Sequence, residues 1–302
     1  MIINTGQRTD IPAFYGPWFL NRLKEGFVMV RNPFNHARVT RYVLDPEVVD
    51  LLCFCTKNPL PLLPHMEALA SFRQLWHVTI TPYGKDIEPH VPDKREVVQA
   101  FRSLSRCLGP SHVCWRYDPV LLLGKYDRNF HVRAFSALAE ALEGYTHTCI
   151  FSFIDLYGKT MRNFPAARRV SHEDQLYLVE KFVEIGEKHG MKLVSCLENP
   201  AFASLGVDTT GCLTKEKVEA AIGFLSGSHP MKICMPAGAA AAFWDTTSAP
   251  TAAAAISAAT AMPMERERRY WKIWAVITGS LPSLWDGRKK AMKSKAPDRK
   301  AG

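Results

Sequence analysis

Short runs of β-branched and aromatic residues alternate with longer helical patterns from the N-terminus to about residue 227. The runs predict seven strands, at residues 2–5, 27–31, 53–56, 76–81, 113–117, 148–153 and 192–197. The patterns between them predict helices at residues 12–25, 61–71, 94–108, 132–142 and 172–189. Alternation of this kind is typical of α/β proteins and predicts a TIM-like (β/α) barrel, complete or open, over residues 1–230. No Gly-rich dinucleotide motif follows any strand, which disfavours a Rossmann sheet.

Alternation along the predicted strands separates two kinds of side chain. One set is large and apolar, as at Phe54, Trp76 and Trp115, and predicts the face that packs against helices. The other set is small, polar or ionisable and comprises Asn4, Arg8, Cys53, Cys55, Lys57, His77, Thr79, Thr81, Cys114, Arg116, Asp118, Cys196 and Glu198. This second set predicts a polar interior that opens at the C-terminal ends of the strands.

Charged side chains follow the C-terminal ends of several strands, where βα barrels place their active sites. Ionisable groups buried there are costly unless they are paired, hydrated or bound to a ligand. The pattern predicts a pocket for an anionic small molecule or nucleotide, with structural ion pairs as the alternative. We expect acid, base or orienting roles for Asp10, Asp118 and Glu198. We expect substrate binding by Arg8, Asn32, Lys57, Asn58, Thr79, Thr81, Arg116 and Asp155.

The composition changes near Pro236. Thirteen of the 29 residues at positions 236–264 are Ala, and Pro250 and Pro263 interrupt any helix. We interpret residues 231–264 as a linker or an anomalous segment and residues 265–302 as a basic tail. The tail has 11 Lys and Arg against 4 Asp and Glu, so it carries most of the net charge of +9. We expect a solvated terminus there, with a nucleic-acid-binding segment as the alternative.

The eight cysteines show no disulfide framework and no Cys-x-x-Cys pair. We interpret them as reduced core residues, and His77 as a hydrogen-bonded interior histidine, so no metal ligand is assigned. A divalent metal held by Asp10, His77, Asp118 and Glu198, in a hydrolase or isomerase, stays open as an alternative. The sequence shows no signal-peptide pattern and no run of 18 strongly apolar residues, so we expect a cytoplasmic protein.

Several short motifs together carry a family resemblance. They are RTDIPAFY at residues 8–15, WFLNR at 18–22, VRNPFN at 30–35, TKNP at 56–59, TITPYG at 79–84, WRYDP at 115–119 and SFIDLY at 152–157. In this order they resemble the bacterial family catalogued as domain of unknown function 1848, from the N-terminus to about Cys212.

The resemblance implies a cofactor whose usual cysteine motif is absent from this chain. Members of the family usually end in a motif resembling Cys-x-x-x-Cys-x-Tyr-Cys, similar to the one that holds the [4Fe-4S] cluster of radical S-adenosylmethionine enzymes and spore photoproduct lyase. The cluster and S-adenosylmethionine are therefore the implied cofactors. This chain has no cysteine after Cys234, and the departure coincides with the Ala-rich segment. The C-terminus is either divergent or read in a displaced frame, and without the motif we expect no radical chemistry.

Overall fold

A computed structural model describes residues 1–223, apart from residues 7, 8, 33 and 197. Arg8, the Ala-rich segment and the basic tail lie outside the described residues. Among the described residues, no helix combines the length and the apolar character needed to cross a bilayer.

Eight strands are described, of which six form one parallel sheet. They are β1 Ile2–Asn4, β2 Phe27–Arg31, β3 Val39–Val43, β4 Leu51–Thr56, β5 Gln74–Thr79, β6 Val113–Val120, β7 Thr148–Phe153 and β8 Lys192–Ser195. The parallel sheet has the order β1-β4-β5-β6-β7-β8, so its strands follow the order of the chain. An isolated parallel bridge between Val194 and Asp208 extends this row beyond β8. The α/β prediction is confirmed as a parallel sheet with helices, while barrel closure remains a prediction.

The predicted barrel strand at residues 27–31 is wrong in its placement. Strand β2 pairs antiparallel with β3, which was not predicted, in a separate two-stranded sheet. Only a short turn joins the two strands, whereas a parallel pair needs a crossover of a dozen or more residues. The Asn32 side chain accepts hydrogen bonds from the backbone N–H of Phe34 (2.8 Å) and Asn35 (3.1 Å), which stabilises the turn.

In the described part of the chain, seven α-helices connect or flank the strands: α1 Ile11–Phe14, α2 Gly16–Glu25, α3 Lys94–Leu108, α4 Arg128–Leu142, α5 Gly158–Asn163, α6 His172–Lys188 and α7 Lys215–Gly223. Two 3-10 helices are at Leu63–Leu69 and Pro200–Leu205. The longest helices begin at a side chain that accepts a hydrogen bond from the first turn: Asp93 for α3, Asp127 for α4 and Ser171 for α6. The predicted helix at 12–25 is two helices that meet at Tyr15.

The main core lies between the parallel sheet and α3, α4 and α6. Phe54, Trp76 and Trp115 are fully buried there, as the alternation along the strands predicts. The rings of Phe54 and Trp76 stack at 4.2 Å, and those of Phe135 and Phe182 stack at 4.2 Å between α4 and α6. Burying each large side chain contributes about 1.5–3 kcal/mol, so this face dominates the stability of the fold.

The opposite face of the sheet has a smaller apolar cover. Val218 and Ala221 of α7 pack in one cluster with Leu51, Cys53 and Leu75. These strand residues lie toward the N-terminal ends of β4 and β5. The part of this face toward the C-terminal ends of the strands carries the polar side chains.

Candidate functional site

The register of the parallel strands places polar side chains of this face next to one another on adjacent strands. Cys55 of β4 lies opposite His77 of β5, and His77 lies opposite Cys114 of β6. One step further along the strands, Thr79 lies opposite Arg116. The face therefore changes from thiols and imidazole to charged groups toward its C-terminal edge.

Arg116 and Asp118 form an ion pair on β6. The hydroxyl of Ser152 on β7 donates a hydrogen bond to the second oxygen of Asp118. Only 18% of the Arg116 side chain is exposed, and its Nε is buried with no hydrogen-bond partner among the described residues. Burial alone would lower the pKa of Arg116, but the Asp118 carboxylate raises it, so the guanidinium keeps its charge.

Glu198 brings a second carboxyl group to this edge. Its Oε1 accepts a hydrogen bond of 2.7 Å from the backbone N–H of Phe153. Burial raises the pKa of Glu198, and the negative charges of Asp155 and Asp118 raise it further. Glu198 therefore holds a proton more readily than an exposed glutamate does.

A separate ion network surrounds Glu88, which sequence reasoning did not include among the site residues. Lys57 and Lys94 both pair with this buried carboxylate, and the Thr81 hydroxyl donates a 2.8 Å hydrogen bond to it. Burial raises the pKa of Glu88, but the two lysines outweigh burial and lower it. Lys57 and Thr81 thus have an internal partner, and their roles in substrate binding stay predictions.

Other residues predicted for the site bind backbone groups. Asp10 accepts hydrogen bonds from the N–H of Lys57 (2.7 Å) and Ala13 (3.0 Å), and Asn58 accepts one from Leu60 (3.2 Å). Burial raises the pKa of Asp10. These contacts order the loops around the sheet edge, and direct roles in catalysis or binding stay predictions.

The remaining predicted residues differ in their surroundings. Asp155 accepts a 2.6 Å hydrogen bond from the hydroxyl of the exposed Tyr157. Thr79 is buried on the polar face, where it is the register partner of Arg116. Asn32 belongs to the turn of the β2–β3 hairpin, outside the six-stranded sheet.

Thiol groups converge on the same face. The donor atoms of Cys53, Cys55 and His77 lie within 4.8 Å of one another, the one such group of three His, Cys, Asp or Glu side chains found in the described part of the chain. The pKa of the Cys55 thiol is lowered, because Cys53 donates a hydrogen bond to it and His77 favours its thiolate form. Burial alone would lower the pKa of His77, but Cys114 and Cys55 raise it to about 10.

A second pair of thiols lies beside the first group. Cys196, just after β8, and Cys212, in the loop before α7, have their Sγ atoms 3.4 Å apart. The hydrogen bond from Cys196 lowers the pKa of Cys212 to about 6. Cys212 was not predicted for this face because it belongs to no strand, so alternation within strands could not place it.

Two surface cavities lie among other residues. One of about 330 Å³ is bordered by His147 and Gly206, and one of about 370 Å³ by Leu122 and Asp174. Neither cavity is lined by a predicted site residue, so neither coincides with the polar face of the sheet.

Comparison with known proteins gives one family and one distant structure. Residues 2–235 match the family described as "Domain of unknown function (DUF1848)". A solved structure, "Crystal structure of HydG: A maturase of the [FeFe]-hydrogenase", is similar with 16% sequence identity and a TM-score of 0.35. The match covers 56% of this chain and 50% of that chain, so this chain spans about half of its length. A likeness at this level carries no conclusion about chemistry. No curated protein matches the chain.

Proposed function

The chain belongs to the family described as Domain of unknown function (DUF1848), and from this premise we propose that it is an enzyme acting on an anionic small molecule. The substrate group that it binds is a phosphate or a carboxylate, as in a nucleotide or an organic acid. The site is the C-terminal edge of the polar sheet face, in a sheet that we take to be one side of a (β/α) barrel.

The buried Nε of Arg116 is the observation that carries the proposal. A buried donor without a partner costs about 1–3 kcal/mol, and a cost of this size needs a compensating contact. A planar guanidinium presents several donors that match the oxygens of a carboxylate or phosphate. The Asp118 carboxylate pairs with Nη2 of Arg116, and an anionic ligand supplies the acceptor for the Nε–H donor.

The neighbouring groups take complementary roles in this proposal. Asp118 holds the guanidinium in place and is itself held by Ser152. Glu198, whose pKa is raised by burial, gives a proton to the substrate or removes one from it. With these roles, the proposed reaction is an acid–base conversion, such as hydrolysis or isomerisation.

The cluster implied by the family resemblance does not fit the cysteines of this chain. A [4Fe-4S] cluster of that type needs three thiolates spaced as in Cys-x-x-x-Cys-x-x-Cys, and the sequence has no such motif. Among the described residues, Cys53 and Cys55 converge with one imidazole within 4.8 Å, a donor set suited to one ion rather than to several irons. The proposed reaction therefore has no step that uses a cluster or S-adenosylmethionine.

Calorimetric titration of the full chain tests the proposal, with inorganic phosphate and AMP as probes. We expect binding that weakens as salt increases, and a 10- to 100-fold loss of affinity, about 1.5–3 kcal/mol, in Arg116→Gln. Arg95→Gln is the matched control, because that arginine is 93% exposed.

Two outcomes would overturn the proposal. One is equal affinity in wild type and Arg116→Gln, or no binding of either probe by folded wild type. The other is a loss of thermal stability in both Arg116→Gln and Asp118→Asn as large as that of the core deletion Phe135→Ala. The second outcome would assign the pair to the structure alone.

A further inference from the structure

The thiol groups and the imidazole of the polar face come from three adjacent strands. Cys53 and Cys55 project from the same side of β4, His77 from β5 and Cys114 from β6. Because Cys55, His77 and Cys114 are consecutive partners in the register, parallel strand pairing brings their side chains together. The sequence interpretation of these cysteines as ordinary core residues did not use this register.

Distances in this group approach those of a tetrahedral metal site. With Zn–S bonds of about 2.3 Å and Zn–N bonds of about 2.0–2.1 Å, tetrahedral ligand atoms lie about 3.5–3.8 Å apart. The Sγ of Cys55 and the Nδ1 of His77 are 3.8 Å apart. The donor atoms of Cys53, Cys55 and His77 lie within 4.8 Å of one another, so bringing these three to tetrahedral separations needs shifts of about 1 Å. The fourth ligand, Cys114, is placed beside them as the register partner of His77.

His77 supplies one ring nitrogen to the group. His77 is 2% exposed, and its Nε2 has no hydrogen-bond partner among the described residues. A neutral imidazole offers one N–H and one lone pair. Because Nδ1 is the nitrogen that faces Cys55, coordination through Nδ1 puts the N–H of the ring on Nε2.

The charge around the group is balanced by Arg116. Three thiolates, one neutral imidazole and a divalent ion carry a net charge of −1. Arg116 lies two residues beyond Cys114 on the same face of β6, and its guanidinium interacts electrostatically with Cys55. A buried cation next to an anionic metal site removes the cost of burying that charge alone.

We propose that Cys53, Cys55, His77 and Cys114 bind one zinc-type ion and that this ion ties β4, β5 and β6 together. Val218 and Ala221 of α7 pack in one cluster with Cys53, and Cys114 packs against that cluster. Four protein ligands leave no position for water, as in structural zinc sites. Each thiol that binds releases its proton to solvent, as does the protonated His77 imidazole. No electrons are transferred, because zinc has no redox chemistry under these conditions.

Titration of reduced, metal-free full chain with Co²⁺ tests the site through its absorption spectrum. We expect saturation at one equivalent, visible bands of a tetrahedral ion, and a thiolate-to-cobalt band with the intensity of three thiolates. Zn²⁺ should displace the cobalt and raise the melting temperature. Cys55→Ser and Cys114→Ser should each lose the spectrum, whereas Cys107→Ser on α3 should keep it.

Variants of the other thiols decide whether the ion sits where we propose. Cys212→Ser and Cys234→Ser should keep the cobalt spectrum, and its loss in either would overturn the proposal. A folded wild type that shows no tetrahedral thiolate spectrum would also overturn it.

Mass-spectrometric alkylation mapping of wild type gives an answer even if the variants fail to fold. Zn²⁺ should protect Cys55 and Cys114 from iodoacetamide and leave Cys107 unprotected. Equal labelling with and without Zn²⁺ would contradict the site. Because the readouts are metal spectra and protection, they do not depend on phosphate binding at Arg116.

Discussion

Asp10 joins two segments that are far apart in the sequence. One of its oxygens accepts a hydrogen bond from Ala13 at the start of α1, and the other accepts one from Lys57 after β4. An aspartate at the end of a predicted strand suits both a catalytic acid and a helix cap. Sequence alone could not separate these roles, because the separating fact is which backbone N–H groups lie within reach.

Replacing Asp10 should therefore affect stability more than ligand binding. We expect Asp10→Ala to lower the free energy of unfolding by about 1–2 kcal/mol, because two backbone donors lose their acceptor. Asp10→Asn, which keeps one acceptor oxygen, should lose less. Denaturant-induced unfolding measures the free energy of unfolding of both variants. In calorimetric titration, both variants should bind phosphate with the wild-type affinity. A normal melt with lost phosphate binding would instead support a role in the site.

Asp208 makes stability depend on pH at the edge of the sheet. Burial raises its pKa, but hydrogen bonds from Thr210 and the ion pair with Lys217 of α7 outweigh burial and lower the pKa to about 2. An unfolded aspartate titrates near pH 3.9. The stabilisation is therefore present above about pH 4 and is lost as the pH falls toward about 2.

We expect Asp208→Asn to lower the free energy of unfolding at pH 7 by about 1–2 kcal/mol. Between about pH 4 and pH 2 the variant should lose stability less steeply than wild type, so the two curves converge. Urea melts across this range measure both effects. Parallel curves would show that Asp208 does not contribute in this way.

At the scale of elements, the long buried strands and the long helices were predictable, and the short connections were not. Strands β4 to β7 and helices α3 and α6 lie close to their predicted positions because alternation and helical patterns mark them clearly. The break between α1 and α2 has a signal in Gly16-Pro17, since proline starts a helix more readily than it continues one. The β2–β3 pair was misplaced because its antiparallel partner, Val39–Val43, was not identified as a strand.

Close packing of α6 on β8 gives a prediction at this scale. A Cβ on Gly186 would lie 2.3 Å from a methyl group of Leu193 and 3.0 Å from the carbonyl oxygen of Met191. Alanine favours helices by about 1 kcal/mol over glycine, but overpacking costs about 1–3 kcal/mol.

We therefore expect Gly186→Ala to lower the free energy of unfolding by about 1–2 kcal/mol, because the overlap outweighs the gain in helix propensity. Gly158→Ala is the control, since no atom lies within 4 Å of the added Cβ. Thermal or urea melts compare the two. A Gly186→Ala variant as stable as wild type would show that α6 and β8 are less tightly packed than described.

At the scale of the whole molecule, alternation along the strands predicted the two faces of the sheet. The apolar set is fully buried against the helices, as at Trp76 and Trp115. Alternation along the strands could not predict the pairing of polar side chains, because Glu88 and Cys212 lie in loops outside the strands. The family resemblance is confirmed over residues 2–235, whereas the substrate, the reaction and barrel closure remain proposals.

The central claim is that Arg116 binds an anion through its unused donor. The most direct measurement follows the Nε–H signals of ¹⁵N-labelled arginine by NMR during titration of the full chain with phosphate. The signal absent from an Arg116→Lys spectrum identifies Arg116. We predict that this signal shifts and saturates with the calorimetric affinity, while that of Arg95 stays fixed. An Arg116 signal that does not move at saturating phosphate would contradict the account.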